Sequence, residues 1–199
     1  MRWLKWVVIA SLFWGGWNWY SHRPVPRLTP GATVAQEPRQ TSISAPTLLV
    51  GKYQITPLAR FDIEALVLGR EDYSHDKEAE LSPLDLALGW GPMSDPSVLS
   101  QLEISQGARF YHWHYNGQPP IPVEQIIRSS ANMHLIPANA VVASTLKRVH
   151  QGQIVSFSGY LVRAEDPVAH WSWTSSLTRE DTGAGACELV WVEDAHIAP

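Results

Sequence analysis

The stretch from Asn132 to Arg163 constrains this chain most, because its hydrophobic period changes from helical to extended within a few residues. Val142, Leu146 and Val149 recur at i, i+4 and i+7, with Asn139 placed to cap the first turn and Gly152 to follow the last, so a short amphipathic helix is predicted. A strand comes next. From Gln153 to Arg163 the residues Val155, Phe157 and Leu161 share one face with Gly159, while Ser156, Ser158 and Tyr160 take the other. Helix and strand together seed a core and carry no chemistry of their own.

The same patterns extend through the rest of the body. Phe61, Ile63, Ala65 and Val67 predict a strand after a turn at Thr56-Pro57. Ser82-Pro83 predicts a capped helix of about two turns ending at Gly89, and Asp95-Pro96 begins a second with Val98, Leu99 and Leu102 inward. Gly89 to Ser94 between them is either a packed plug around Trp90 or a ligand platform. Arg109 to Tyr115 predicts a strand ending in a hairpin turn at Asn116-Gly117, with Phe110, His112 and His114 on one face and Tyr111, Trp113 and Tyr115 on the other. Pro122 to Ser130 predicts a short helix, and Trp171 to Ser176 and Ala186 to Glu193 predict strands. Strand segments interrupted by short capped helices define an α+β class. The expected architecture is one globular domain on an antiparallel sheet that is curved or partly closed, and a small barrel of the oligonucleotide/oligosaccharide-binding (OB) type is one way to close it.

The beginning of the chain has a different purpose. Half of its ten tryptophans, Trp3, Trp6, Trp14, Trp17 and Trp19, fall in the first twenty residues around the apolar run Val7 to Phe13. Residues 3–20 have about the minimum length of a membrane-crossing helix, and aromatic residues at both borders fit the interfacial belt. A cleaved signal peptide is the competing reading, but Trp17-Asn18-Trp19-Tyr20 after the core lacks the small residues a signal peptidase needs. Residues 1–22 are therefore expected to be a membrane anchor or uncleaved signal, with the amino terminus in the cytoplasm. Residues 23–46, punctuated by Pro24, Pro26, Pro30, Pro38 and Pro46, form a spacer, and residues 47–199 the globular domain.

Charge narrows the possible partners. Residues 47–199 hold ten Lys and Arg against eighteen Asp and Glu, a balance of −8, whereas the first 46 residues carry +4. No nucleic-acid partner is expected for so acidic a body, because neutralising phosphates needs a basic face. Cys187 is the sole cysteine, so the chain forms no internal disulfide.

Three groups of residues are candidates for chemistry. His112 and His114, at i and i+2 on a strand, point to one side and can begin a metal site, against the plainer reading of two histidines on a wet sheet face. His134 can serve a serine as general base, although no nucleophile-elbow pattern surrounds any serine and a buried histidine bonded to its neighbours is the structural alternative. Ser175 to Gly185 gathers Ser175, Arg179, Asp181 and two glycines in one loop, which is either a polar ligand site or a solvated hairpin. The leading expectation is a membrane-anchored, extracytoplasmic binding or accessory protein of a bacterial-type cell envelope, working with a protein partner. The alternative is an envelope hydrolase or metal-dependent enzyme using His134 with the Ser175–Asp181 loop, or His112 and His114.

Overall fold

The computed structural model describes Ser11, residues 34–183 and residues 185–198. The expected anchor, residues 1–22 with its membrane contact through residues 3–20, lies outside the described residues apart from Ser11. No helix among the described residues is long and apolar enough to cross a membrane.

The body is β-rich. Its strands are β1 (Arg39–Ser42), β2 (Leu48–Val50), β3 (Tyr53–Asp72), β4 (Leu84–Gly89), β5 (Glu103–Gly107), β6 (Phe110–His114), β7 (Ser130–Pro137), β8 (Ile154–Asp166), β9 (Trp171–Thr174) and β10 (Glu188–Ile197). Three short helices join them: α1 (Pro96–Leu99), α2 (Val123–Arg128) and α3 (Ala140–Lys147). The pairings run β3–β4–β7–β10–β8, and β8 returns to β3, so five strands form a ring. Within that ring β7 and β10 are parallel and every other pair is antiparallel.

Alternation explains what fills the ring. Phe61, Ile63, Ala65 and Val67 of β3 meet Leu84, Leu86 and Leu88 of β4, Met133 and Leu135 of β7, and Val190 and Val192 of β10 in one buried cluster. Each large side chain so buried contributes about 1.5–3 kcal/mol of transfer free energy. α3 plugs the end where β7 finishes, sending Val142 and Leu146 into the same cluster, joined by Val149 just beyond it. The Asn139 carboxamide caps this helix by accepting from Val141 and Val142 N–H, both at 3.0 Å. Gly159 sits where β8 crosses β10, and a Cβ there would lie 1.8 Å from the Trp191 carbonyl oxygen. Only glycine permits that approach.

Several expectations need correction. β3 runs straight through Thr56-Pro57, where a register shift beside Pro57, not a turn, accommodates the missing N–H. The expected Ser82–Gly89 helix is β4: Leu84, Leu86 and Leu88 have period two, and that burial outweighs the local Ser-Pro signal. β6 pairs backwards with β5 around Ala108 and Arg109, both with positive φ (51° and 70°), so Asn116-Gly117 is not its hairpin turn. Trp90, 1% exposed, is a plug. Within the expected 23–46 spacer, Val34 is buried against the Gly91–Ser94 turn, its N–H donating to Ser94 Oγ at 2.7 Å, and β1 pairs with β3. Residues 34–46 thus lie along the body.

Candidate functional site

Two arginine-centred clusters interrupt this apolar construction. The first lies on the outer side of β4 and β7, where Asp85 and His134 alternate with the core leucines. Arg109, at the tip of the β5–β6 hairpin, donates from Nε and Nη2 to Asp76 at 2.9 and 2.8 Å, and from Nη1 to Asp85 Oδ1 at 2.9 Å and the Ser82 carbonyl at 3.0 Å. Its guanidinium also stacks 3.6 Å from the Tyr73 ring centroid. Burial opposes the Arg109 charge, but the bonds to Asp76 and the nearby Asp85 outweigh it and raise its pKa. The same pairing holds the Asp76 carboxyl below its ordinary range.

His134 belongs to this cluster. It is 3% exposed, its ring lies 4.5 Å from that of Trp173, and its Nδ1 is 2.9 Å from Asp85 Oδ1. No directed hydrogen bond forms there, and Nδ1 has no bonded partner.

The second cluster lies at the opposite end of the ring from α3, where β10 begins. Glu188 is 1% exposed, and its Oε1 accepts from Arg179 Nη1 at 3.2 Å. Its other oxygen, Oε2, has no partner. Burial pushes this carboxyl up to about 8 against the pull of the Arg179 charge, so it is largely protonated at neutral pH. Arg179 also lies 5.3 Å from the Phe61 ring centroid and donates from Nη2 to Gln40 Oε1 at 3.1 Å. Gln40 donates in turn to the Leu177 carbonyl at 3.1 Å. The arm of residues 34–46 thus holds the loop that carries Arg179.

Above Glu188 opens a cavity of about 270 Å³. One wall is β6 from Phe110 to Trp113, a second is the start of β7 from Ser130 to Asn132, and the third is the loop bearing Arg179 and Asp181. Cys187 also lines it, but burial pushes its thiol up to about 11, so it is not a thiolate nucleophile. A larger hollow of about 500 Å³ near Arg39, Asp62 and Asp194 is walled by exposed or half-exposed polar groups and contains no buried unpaired one.

The candidate residues therefore separate. Arg179, Asp181 and His112 line one cavity, whereas His134 is packed in the other cluster. Ser175 is 5% exposed, its Oγ donating to the Ser176 carbonyl at 2.8 Å and accepting from Leu189 N–H at 3.0 Å, so its hydroxyl ties the loop to β10. Asp181 accepts from Ser176 Oγ at 2.6 Å. Among the described residues no hydrogen bond joins Ser175 to His134, and no three metal-ligating side chains converge on His112 and His114. Asp85 and Glu188 are the members that pattern reasoning undervalued. Their signal was a single carboxylate inside an apolar strand run, Leu84-Asp85-Leu86 and Cys187-Glu188-Leu189.

No family model, curated protein or solved structure matches this chain.

Proposed function

We propose that the chain is a membrane-anchored, extracytoplasmic binding or accessory module of a bacterial-type cell envelope, taking its partner at the cavity over Glu188. The observation that carries this is the cavity itself: a buried carboxyl with one unpaired oxygen, beside an arginine and an aromatic strand, with no serine or cysteine of its described lining hydrogen-bonded to a histidine and with Asp181 held by the buried Ser176 hydroxyl. Sites of that composition bind and orient; acyl transfer needs a hydroxyl or thiol hydrogen-bonded to its base.

The finer fold assignment fits a binding role. A five-stranded ring with one parallel seam, and a helix plugging one end between its third and fourth strands, is the arrangement of an OB-type barrel. Such barrels bind ligands on the face of the second and third strands and in the adjoining loops, here β4, β7 and the 167–187 connection. This is fold-level analogy and sets only the class of function. The −8 balance of residues 47–199 favours a protein partner over a nucleic acid.

The hydrolase reading keeps one supporting observation, the 2.9 Å approach of Asp85 to His134, although no hydrogen bond orients the ring. It lacks a free hydroxyl beside His134. The test is fractionation followed by sizing. The intact chain should stay with the membrane until detergent is added and then migrate in a larger assembly, and Arg179→Ala should leave that assembly without losing its fold. Recovery of the intact chain as a free soluble monomer, or esterase or amidase turnover lost in His134→Ala, overturns the proposal.

A further inference from the structure

The partner's chemistry can be read from the edge of β6. β6 pairs only with β5, in a separate two-stranded sheet, and its register closes on the Gly107–Phe110 pair across a two-residue turn. In such a hairpin the closing pair exchanges both backbone hydrogen bonds, and so does every second pair beyond it. Phe110, His112 and His114 therefore bond to β5. Tyr111 and Trp113 turn their N–H and C=O groups away from β5, where no backbone group among the described residues bonds to them, and both residues line the cavity.

An open strand edge offers donors and acceptors at the spacing of an extended chain. Side chains fix its immediate neighbourhood: Tyr111 is half-buried with its hydroxyl 3.4 Å from Ser130 Oγ, and Trp113 packs on the cluster around Met93 and Ile126. These contacts fasten the side chains of the edge to the body. Glu188, whose buried Oε2 is unpaired, lines the same cavity. Unmet main-chain groups on one wall and an unmet buried carboxyl oxygen below are two independent features asking for the same kind of occupant.

We infer that the cavity takes an extended peptide segment of the partner, which adds as a strand to β6 through Tyr111 and Trp113 and lowers one polar side chain toward Arg179 and Glu188. This rests on the binding-module reading and names its ligand class. A cavity of about 270 Å³ accommodates a side chain or two, while the rest of the segment lies along the open edge. The acidic body, with Asp181 in the wall, selects a segment that is neutral or basic in its flanks. A saccharide would use the hydroxyl-bonding groups of the cavity but has no amide row to match the strand edge, so the peptide is the occupant the geometry favours.

The experiment uses the full chain in detergent, a random library of short peptides, and fluorescence anisotropy on the best binder. N-methylation at every second residue of that peptide should weaken binding by about tenfold per position, the equivalent of one main-chain hydrogen bond, and N-methylation at the intervening residues should not. Arg179→Ala should weaken the same peptide while its melting temperature stays close to that of the parent. Failure of any peptide to bind, indifference to N-methylation, or binding of oligosaccharide fragments instead overturns the inference. Sizing of the same preparation separates the two claims. If the chain still migrates in its assembly, the ligand class alone is wrong; if it migrates as a monomer, the module reading falls with it.

Discussion

Arg109 and Arg179 are two mostly buried guanidiniums facing buried carboxylates on one β-rich body, and they are finished differently. Arg109 satisfies itself with four hydrogen bonds to Asp76, Asp85 and Ser82, from a backbone that the β5–β6 turn sets at a φ of 70°. A non-glycine residue in that region is strained, and the surrounding bonds hold it there. Arg179 makes one bond to Glu188 and another to Gln40, and leaves Glu188 Oε2 with nothing. Each cluster also keeps one unpaired buried atom, His134 Nδ1 in the first and Glu188 Oε2 in the second, but Glu188 lines the cavity of about 270 Å³ and His134 does not, so the first cluster fits a fastening and the second the proposed binding site.

Substitutions can break that comparison. Arg109→Ala should have the largest effect, about 3–5 kcal/mol of lost stability by urea unfolding, because it strands Asp85 at 0% exposure. If it unfolds the chain outright, Asp76→Asn gives the graded version at about 1 kcal/mol, since Asp76 is partly exposed. Arg179→Ala should cost about 1 kcal/mol at neutral pH, because the Glu188 it leaves behind is already largely uncharged. An Arg179→Ala loss as large as that of Arg109→Ala would erase the distinction.

The pH dependence sharpens the contrast. Glu188 titrates near 8 in the folded chain against an ordinary 4.5, so the unfolded chain gives up this proton first. Its contribution to stability is fully present below about 4.5 and is lost as pH rises through about 8. Melting temperature should therefore fall from pH of about 5 to about 9, and Glu188→Gln should flatten that fall. Asp76 behaves oppositely: its depressed value adds stability at neutral pH that is lost in acid, and Asp76→Asn should blunt the acid limb. The smallest effect belongs to Arg128→Ala, whose pair with Glu180 is exposed on both sides and should change stability by about 0.5 kcal/mol or less.

The sequence made some of this legible and hid the rest for physical reasons. α3 and β8 were readable because their signals are local: a cap at Asn139, apolar residues at helical spacing, then alternation. β7 was not, because it is buried on both faces and Asn132-Met133-His134-Leu135-Ile136 shows no alternation. β4 was misread because a local Ser-Pro cap competed with a long-range pairing to β3 and β7. At the cavity, Arg179, Asp181 and His112 were named, but bringing the β6 wall with His112 and the start of β7 to Glu188 depends on β10 lying parallel to β7, with Glu188 beside Met133.

Amide hydrogen exchange across β6 in the full chain, with and without a bound peptide, tests most directly whether the cavity wall is an open strand edge. The account predicts that the Tyr111 and Trp113 amides exchange much faster than those of His112 and His114 in the free chain, and slow sharply when peptide is present. Equal protection along the strand before any ligand is added, or fast exchange at Tyr111 and Trp113 that a bound peptide leaves unchanged, would contradict it.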